Sequence, residues 1–261
     1  MKFFRSKVDN KQVEDLKDQI LNGRIIDWSP ISNKNAGIKF EDLKYILEYW
    51  GNKFDWKKQE EDLNSFTQHK TKINNTEVHF LHIKSGFKNS VPLMLIHGWP
   101  GSIFEFLDLI PLLTNPKTEN KKSMIPFDLI IPSLPNVGYS FSIDQKPQDL
   151  KQIASIFIKL MKQIGYKNYF VQGGDLGSFI ASIMAIKDPK NILGIHINFL
   201  PLPRGLDKNP NNKLEEQFYI NLKIGCILKQ VIKQFKVQNH LQLLMLLIPL
   251  QLLFVRISLK N

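Results

Sequence analysis

From residue 91 onward, the chain alternates between short apolar runs and longer stretches whose apolar residues have helical spacing. The apolar runs cover residues 93–96, 129–131, 169–172 and 192–199. Between the second and third runs, Asp149 to Ile164 places its apolar residues on one helical face and is followed by Gly165, a common stop signal. Alternating strands and helices predict a parallel sheet with crossover helices, an α/β fold.

The pattern before residue 91 is different, with helical and irregular stretches that end in a hairpin. Phe40 to Trp50 has a one-face apolar stripe and is predicted to be a helix. Asn74-Asn75 separates two apolar segments and is predicted to be the turn between two strands. His79 and His82 lie three residues apart on the second strand, so they point to opposite faces and do not form a metal pair.

The most informative stretch is Gly173-Gly174-Asp175-Leu176-Gly177, which lies between an apolar strand and the helical pattern of residues 178–187. A nucleophile elbow needs small residues two positions before and two positions after its central residue. In that interpretation Asp175 is the nucleophile, and the first amides of the next helix face the group that it attacks. The alternative is an ordinary strand-to-helix turn in which Asp175 only caps the helix.

A second motif, His97-Gly98-Trp99-Pro100-Gly101, follows the first apolar run and precedes a helical pattern from Ser102 to Leu113. The loop after such a strand supplies half of the oxyanion hole in α/β hydrolases. Trp99 is therefore predicted to donate its backbone N–H. His97 stands beside the strand end rather than opposite the nucleophile, which favours a structural role.

Together these motifs resemble the microsomal and juvenile-hormone type epoxide hydrolases of the α/β-hydrolase superfamily. The resemblance extends over roughly residues 10 to 216. Its core motifs are HGWPGS-x-x-EF (residues 97–106), FDLIIPSLP (127–135), Gly138-Tyr139-Ser140 and Gly173-Gly174-Asp175; its N-terminal motifs are DWSP (27–30), YW (49–50), FDWKKQE (54–60), Leu63-Asn64 and Val78-His79-Phe80. The implied architecture is an α/β-hydrolase fold with a parallel sheet and an N-terminal meander.

Two positions depart from the family pattern. Leu176 stands where the family usually has Trp, which puts the substrate range in question because a pocket wall beside the nucleophile changes. Asn136-Val137 replaces the usual Gly-Tyr after Ser-Leu-Pro.

The resemblance implies two-step hydrolysis of a small apolar epoxide, in a hydrolase of the detoxifying kind. Asp175 attacks a ring carbon to give an ester, the Trp99 and Leu176 amides stabilise the anion formed during ester hydrolysis, and a histidine with an acid partner activates the water. No metal or organic cofactor is required. Haloalkane dehalogenases use the same elbow and are the alternative hydrolases, although the N-terminal meander argues against them.

The last 45 residues do not fit this plan, which requires a lid, further strands, an acid and a histidine. His240 is the only histidine there, and its surroundings do not resemble a loop after a final strand. When the underlying codons are read in a shifted frame, residues 229–251 permit a string that resembles the family's lid. Residues 218–261 are therefore expected to be out of frame.

This interpretation divides the chain into an N-terminal region (1–90), the first part of the hydrolase core (91–217) and an aberrant tail (218–261). The catalytic His, its acid and the lid tyrosines are not assigned. The sequence as given is expected to be a truncated product without turnover, while the intact gene is expected to encode an epoxide hydrolase.

Composition adds little to this assignment. The 261 residues carry a net charge of +11, mostly from Lys spread along the chain, with no basic stripe typical of nucleic-acid binding. Cys226 is the only cysteine, which excludes an intrachain disulfide. The N-terminus indicates neither a signal peptide nor a membrane span, so the expected location is the cytoplasm, with the surface of the endoplasmic reticulum membrane as the alternative.

Overall fold

The computed structural model describes residues 1–25, 27, 38–116 and 125–199. Most of the DWSP motif, the predicted tail 218–261, Cys226 and His240 lie outside these residues. The division of the chain at residues 90 and 217 stays a prediction.

One seven-stranded sheet organises the described residues, in the order β1-β2-β3-β5-β4-β6-β7. The strands are β1 (Lys2–Phe4), β2 (Gln68–Ile73), β3 (Thr76–Ile83), β4 (Val91–Ile96), β5 (Phe127–Pro132), β6 (Tyr169–Gly173) and β7 (Ile192–Ile197). Strands β5, β4, β6 and β7 are parallel neighbours, whereas β1, β2 and β3 are antiparallel, with β3 pairing against β5. The predicted α/β class is confirmed, and the sheet runs without a break from the N-terminal hairpin into the parallel core.

The hairpin turn has the chemistry that the sequence predicts. Asn74 and Asn75 both have positive φ, 49° and 64°, as a two-residue type I′ turn requires. Strand β1, in contrast, was not predicted, because its three residues are too few to show a period of two. It is formed by long-range pairing with β2.

Helices cover both faces of the sheet. They are α1 (Asn10–Asn22), α2 (Phe40–Asn52), α3 (Trp56–Asn64), α4 (Leu109–Thr114), α5 (Leu150–Gln163) and α6 (Leu176–Lys187). Successive residues of β4 alternate between the two resulting cores: Met94 and Ile96 pack with residues of α5 and α6, and Leu95 packs with Leu63 and Ile110. Each fully buried aliphatic side chain of this kind stabilises the fold by about 2 kcal/mol.

The helix predicted from Ser102 to Leu113 is wrong as one element. A 3₁₀ turn covers Ile103–Phe106, and α4 starts only at Leu109. Pro111 explains the break, because a continuous helix would need an N–H at position 111 to bond the carbonyl of Leu107. Restarting at Leu109 places the proline in the first turn of α4, where no such bond is required.

Helix α5 buries its predicted face except at Ile164, which caps the helix and is half-buried, whereas α2 leaves its stripe half-buried or exposed. Ile153, Ile156, Phe157 and Leu160 of α5 are all in the core, and the helix ends before Gly165, whose φ is +93°. In α2 the predicted stripe is only half-buried at Leu43 and Leu47, and Ile46 and Trp50 are 48% and 43% exposed. Among the residues that the structure describes, no helix has the length and apolarity needed to cross a bilayer.

Candidate active site

Asp175 lies between the end of β6 and the start of α6, in a backbone conformation that few residues adopt. Its φ and ψ are 49° and −122°. A non-glycine residue with positive φ is strained and persists only where the surrounding structure enforces it. The elbow predicted from the sequence is therefore present as a backbone conformation.

The two flanking glycines explain how this conformation is enforced. A Cβ atom on Gly173 would overlap the carbonyl group of Gly177, and one on Gly177 would overlap the carbonyl oxygen of Ile96 in β4. The elbow thus packs backbone directly against backbone, and glycine is required for this close approach rather than for its conformational freedom.

The carboxylate of Asp175 faces the Trp99 loop, which we define as residues 98–102. Its Oδ1 accepts the backbone N–H of Trp99 at 3.0 Å. Hydrogen bonds from Trp99 first, and from the Leu176 amide second, hold the pKa of the Asp175 carboxyl below its usual range. Although Leu176 is the first residue of α6, the Asp175 side chain makes no N-capping hydrogen bond, so simple helix capping does not describe this residue.

His97 fixes the first end of the Trp99 loop from inside the protein. Its Nε2 accepts the N–H of Leu134 at 3.0 Å, and its Nδ1–H donates to the carbonyl oxygen of Gly98 at 2.8 Å. The partners define the tautomer, because an amide only donates and a carbonyl only accepts. Burial lowers the pKa of His97 and favours this neutral form, in agreement with a structural role.

Two side-chain hydrogen bonds fix the other end of the loop. Glu105 Oε1 accepts the N–H of Ser102 at 3.1 Å, and Ser102 Oγ accepts the N–H of Phe104 at 3.4 Å. This capping box starts the 3₁₀ turn, whose Ile103 and Phe106 are buried in the core.

Asp175 opens onto a cleft of about 480 Å³ at the carboxyl ends of β4, β6 and β7. Open α/β sheets place their ligand sites at this edge. The lining residues are Gly98, Trp99, Pro100, Gly101, Glu105, Gly174, Asp175 and Asn198. The half-buried Leu176 is not among them, so the expected pocket wall at this position is not seen in the described part of the chain.

Comparisons with known proteins agree with this geometry. A family model for the epoxide hydrolase N terminus matches residues 1–106, and one for the alpha/beta hydrolase fold matches residues 91–201. Epoxide hydrolase 1 of Oryctolagus cuniculus is 38% identical over 199 residues, which span 75% of this chain and 44% of the rabbit protein. The chain belongs to the epoxide hydrolase family.

Solved structures of the epoxide hydrolase family have the same fold. The juvenile hormone epoxide hydrolase of the silkworm Bombyx mori superposes with a TM-score of 0.66 at 34% identity, covering 76% of this chain and 52% of that protein. The Aspergillus niger epoxide hydrolase gives 0.68 at 30% identity, covering 80% of this chain and 55% of that protein. The chain thus spans about half the length of the relatives that it matches.

One departure from the family pattern has a conformational explanation. Asn136, which replaces the usual glycine, has a φ of +64°. Asparagine enters this left-handed region more readily than most other non-glycine residues, so Asn136 can adopt a conformation that glycine also favours.

Sequence reasoning missed Asn198, which follows β7 at the same sheet edge as the elbow. Its N–H donates to the carbonyl of Gly173 at 3.4 Å, and its side-chain amide lies against Gly174, where a Cβ would come within 2.6 Å of Oδ1. The next residue, Phe199, packs its ring on Phe179. A polar residue directly after a parallel strand was the available signal.

Among the residues that the structure describes, no histidine lies at the cleft. The described part of the chain contains five histidines, and none of them lines the cleft beside Asp175. They are His69, His79, His82, His97 and His196. Within the same residues, no group of three or more His, Cys, Asp or Glu side chains could hold a metal ion. His79 is buried between Ser133 and Gln68, which agrees with a packing role.

Proposed function

We propose that the chain provides the nucleophile half of an epoxide hydrolase, in which Asp175 opens a small apolar epoxide through an aspartyl ester. The observation that supports this most strongly is the strained elbow, which presents the Asp175 carboxylate to the cleft with the Trp99 and Leu176 amides directed at it. Family membership supplies the substrate class, because the relatives are named as epoxide hydrolases.

In the first step, one carboxylate oxygen of Asp175 attacks a ring carbon, and the bond between that carbon and the ring oxygen breaks. The electron pair goes to the ring oxygen, which takes a proton from a donor that we do not place among the described residues. The product is a hydroxyalkyl ester of Asp175. The lowered pKa of Asp175 keeps the carboxylate ionised at neutral pH, so the attacking form is always present.

In the second step, water adds to the carbonyl carbon of the ester and gives a tetrahedral anion. The Trp99 and Leu176 amides, already directed at this carboxyl group, stabilise the negative charge as it develops. Breaking the bond between the carbonyl carbon and the alkoxy oxygen then releases the diol and regenerates the carboxylate. The base that activates this water is not among the five described histidines, so we assign to the described residues the ester and its anion, and not the proton transfer.

Halide displacement from a haloalkane would use the same carboxylate, but the match of residues 1–106 to the epoxide hydrolase N terminus supports the epoxide. Mass spectrometry of the intact chain tests both. A terminal epoxide should add one equivalent of its mass, the Asp175→Asn variant should add none, and a haloalkane of similar size should leave the mass unchanged. Equal labelling of the Asp175→Asn variant would refute the assignment of Asp175 as the nucleophile. Labelling by the haloalkane alone would show that the reaction is halide displacement rather than epoxide opening.

A further inference from the structure

We propose that Glu105 is a positioning residue, which holds the Trp99 loop so that the Trp99 N–H points at the Asp175 carboxylate. Its role in the reaction rests on the proposed function, but its effect on the geometry does not. The sequence identifies Glu105 only as a member of the HGWPGS-x-x-EF motif (residues 97–106). The structure shows which residues its carboxylate contacts.

Glu105 contacts the two loop residues that follow Trp99-Pro100. Its Oε1 accepts the N–H of Ser102 at 3.1 Å. The same carboxylate occupies the space beside Gly101, where any Cβ would overlap it. The absence of a side chain at position 101 thus lets the Glu105 carboxylate lie against the loop backbone.

Trp99 itself cannot fix the direction of its own N–H. Its side chain is 68% exposed, so burial does not hold it in place. The loop is fixed instead at its two ends, by His97 at Gly98 and by Glu105 at Gly101 and Ser102. Because Glu105 belongs to a turn whose Ile103 and Phe106 are 1% and 7% exposed, its backbone has little freedom.

A positioning role and a purely electrostatic role of Glu105 predict opposite changes at Asp175. If Glu105 acted only as a nearby negative charge, its removal would lower the pKa of Asp175, because a like charge disfavours ionisation. If Glu105 aligns the Trp99 N–H, its removal weakens that hydrogen bond and raises the pKa of Asp175. The sign of the change therefore separates the two roles.

The test is a titration of the Asp175 carboxyl carbon by ¹³C NMR in the full chain, with the signal assigned from the Asp175→Asn variant. The Glu105→Ala variant should raise the pKa of Asp175 by about half a unit or more, as expected for losing one of two backbone donors. The Glu105→Gln variant keeps an acceptor for Ser102 and should leave the pKa at or slightly below the wild-type value.

A matched control exists in α5, where Asp149 and Gln152 form the same kind of capping box far from the cleft. Gln152→Ala should cost about 1 kcal/mol of stability, as loss of a cap usually does, and leave the titration of Asp175 unchanged. If Glu105→Ala does not fold, Gly101→Ala gives the same test, because its methyl group displaces the Glu105 carboxylate.

A lower or unchanged pKa of Asp175 in Glu105→Ala, or in Gly101→Ala where the former is unfolded, overturns the positioning role. The positioning role is also overturned if Glu105→Gln raises the pKa of Asp175 as much as Glu105→Ala does. The titration uses no epoxide, so a chain that forms no ester would refute the proposed reaction and leave this result standing.

Discussion

The two sides of the cleft place their groups by different means. On the β6 side, Asp175 is set by backbone packed on backbone, with Gly173 against Gly177 and Gly177 against Ile96. On the β4 side, the Trp99 N–H is positioned by a loop that His97 and Glu105 hold at its two ends: His97 donates to the Gly98 carbonyl, and Glu105 accepts the Ser102 N–H. The Trp99 side chain itself is exposed.

This difference has a consequence for how each side responds to change. A steric fit between backbones has no intermediate state, since any Cβ atom must displace a strand. Hydrogen bonds can be removed one at a time, and each removal costs a limited amount. The elbow should therefore tolerate almost no substitution, while the Trp99 loop should respond in graded steps.

Gly177→Ala should have the largest effect, a loss of about 3 kcal/mol in the free energy of unfolding, because the new methyl group overlaps the carbonyl of Ile96. Urea denaturation followed by circular dichroism measures this loss. Gly194→Ala is the control on the neighbouring strand: its Cβ would meet the ring of Phe170 at 3.1 Å, and the ring can tilt, so about 1 kcal/mol is expected. Equal losses of stability in Gly177→Ala and Gly194→Ala would show that the backbone contact at Gly177 is no more restrictive than the side-chain contact at Gly194.

His97→Ala should cost less, about 2 kcal/mol, since it leaves the buried N–H of Leu134 without its acceptor. His196→Ala, at an exposed position of β7, should change stability by no more than about 0.5 kcal/mol. A stable His97→Ala variant would mean that the Trp99 loop does not depend on this histidine.

The same histidine predicts a pH dependence. Burial lowers the pKa of His97 in the folded state from 6.5, so the unfolded chain binds a proton first as the pH falls. The stability contributed by neutral His97 is therefore complete above pH 6.5 and is lost as the solution is acidified below that value. Unfolding measured at several pH values should show a shallower acid loss in His97→Ala than in the wild type, and parallel curves would exclude this contribution.

Gly174→Ala should have a smaller effect, about 1 kcal/mol, because the obstacle is the side-chain amide of Asn198 rather than backbone. Adding Asn198→Ala removes the obstacle, so the double variant should recover most of the loss, with a coupling energy of about 1 kcal/mol. Strictly additive effects in this double-mutant cycle would show that Gly174 is not matched to Asn198.

The smallest effect is expected from pH on ester formation itself. The Trp99 and Leu176 amides lower the pKa of Asp175, so the carboxylate is ionised throughout the range from about pH 5 to 8 and the rate should be flat there. The rate should fall only in more acidic solution. A sigmoid rise near neutral pH would indicate that a different group limits the attack.

Local sequence patterns predicted the elements that depend on local chemistry. The Asn74-Asn75 turn, the helix that ends before Gly165 and the glycines around Asp175 each follow from conformational preferences of one or two residues. The elbow could be read from five residues, because its geometry requires small side chains at fixed spacing.

Features that depend on distant partners could not be predicted in the same way. Periodicity indicated both α2 and α5, but it does not show what each helix packs on, and only α5 buries its stripe. The pairing of β1 with β2 and the contact of Asn198 with Gly174 join residues brought together by the sheet. The break before α4 was visible in Pro111, but the helical spacing around it concealed that signal.

The central claim is that Asp175 attacks the epoxide ring and forms an ester, and oxygen-18 transfer tests it most directly. The chain is loaded with an unlabelled epoxide, excess reagent is removed, and the ester is cleaved in mild alkaline H₂¹⁸O before peptide mapping. The label should appear in the Asp175 peptide and not in the released diol, because cleavage breaks the bond to the carbonyl carbon. If the epoxide had instead been opened directly by water during loading, no ester would remain on the chain, so the alkaline step would release no diol and leave Asp175 unlabelled; that result would contradict the assignment of Asp175 as nucleophile.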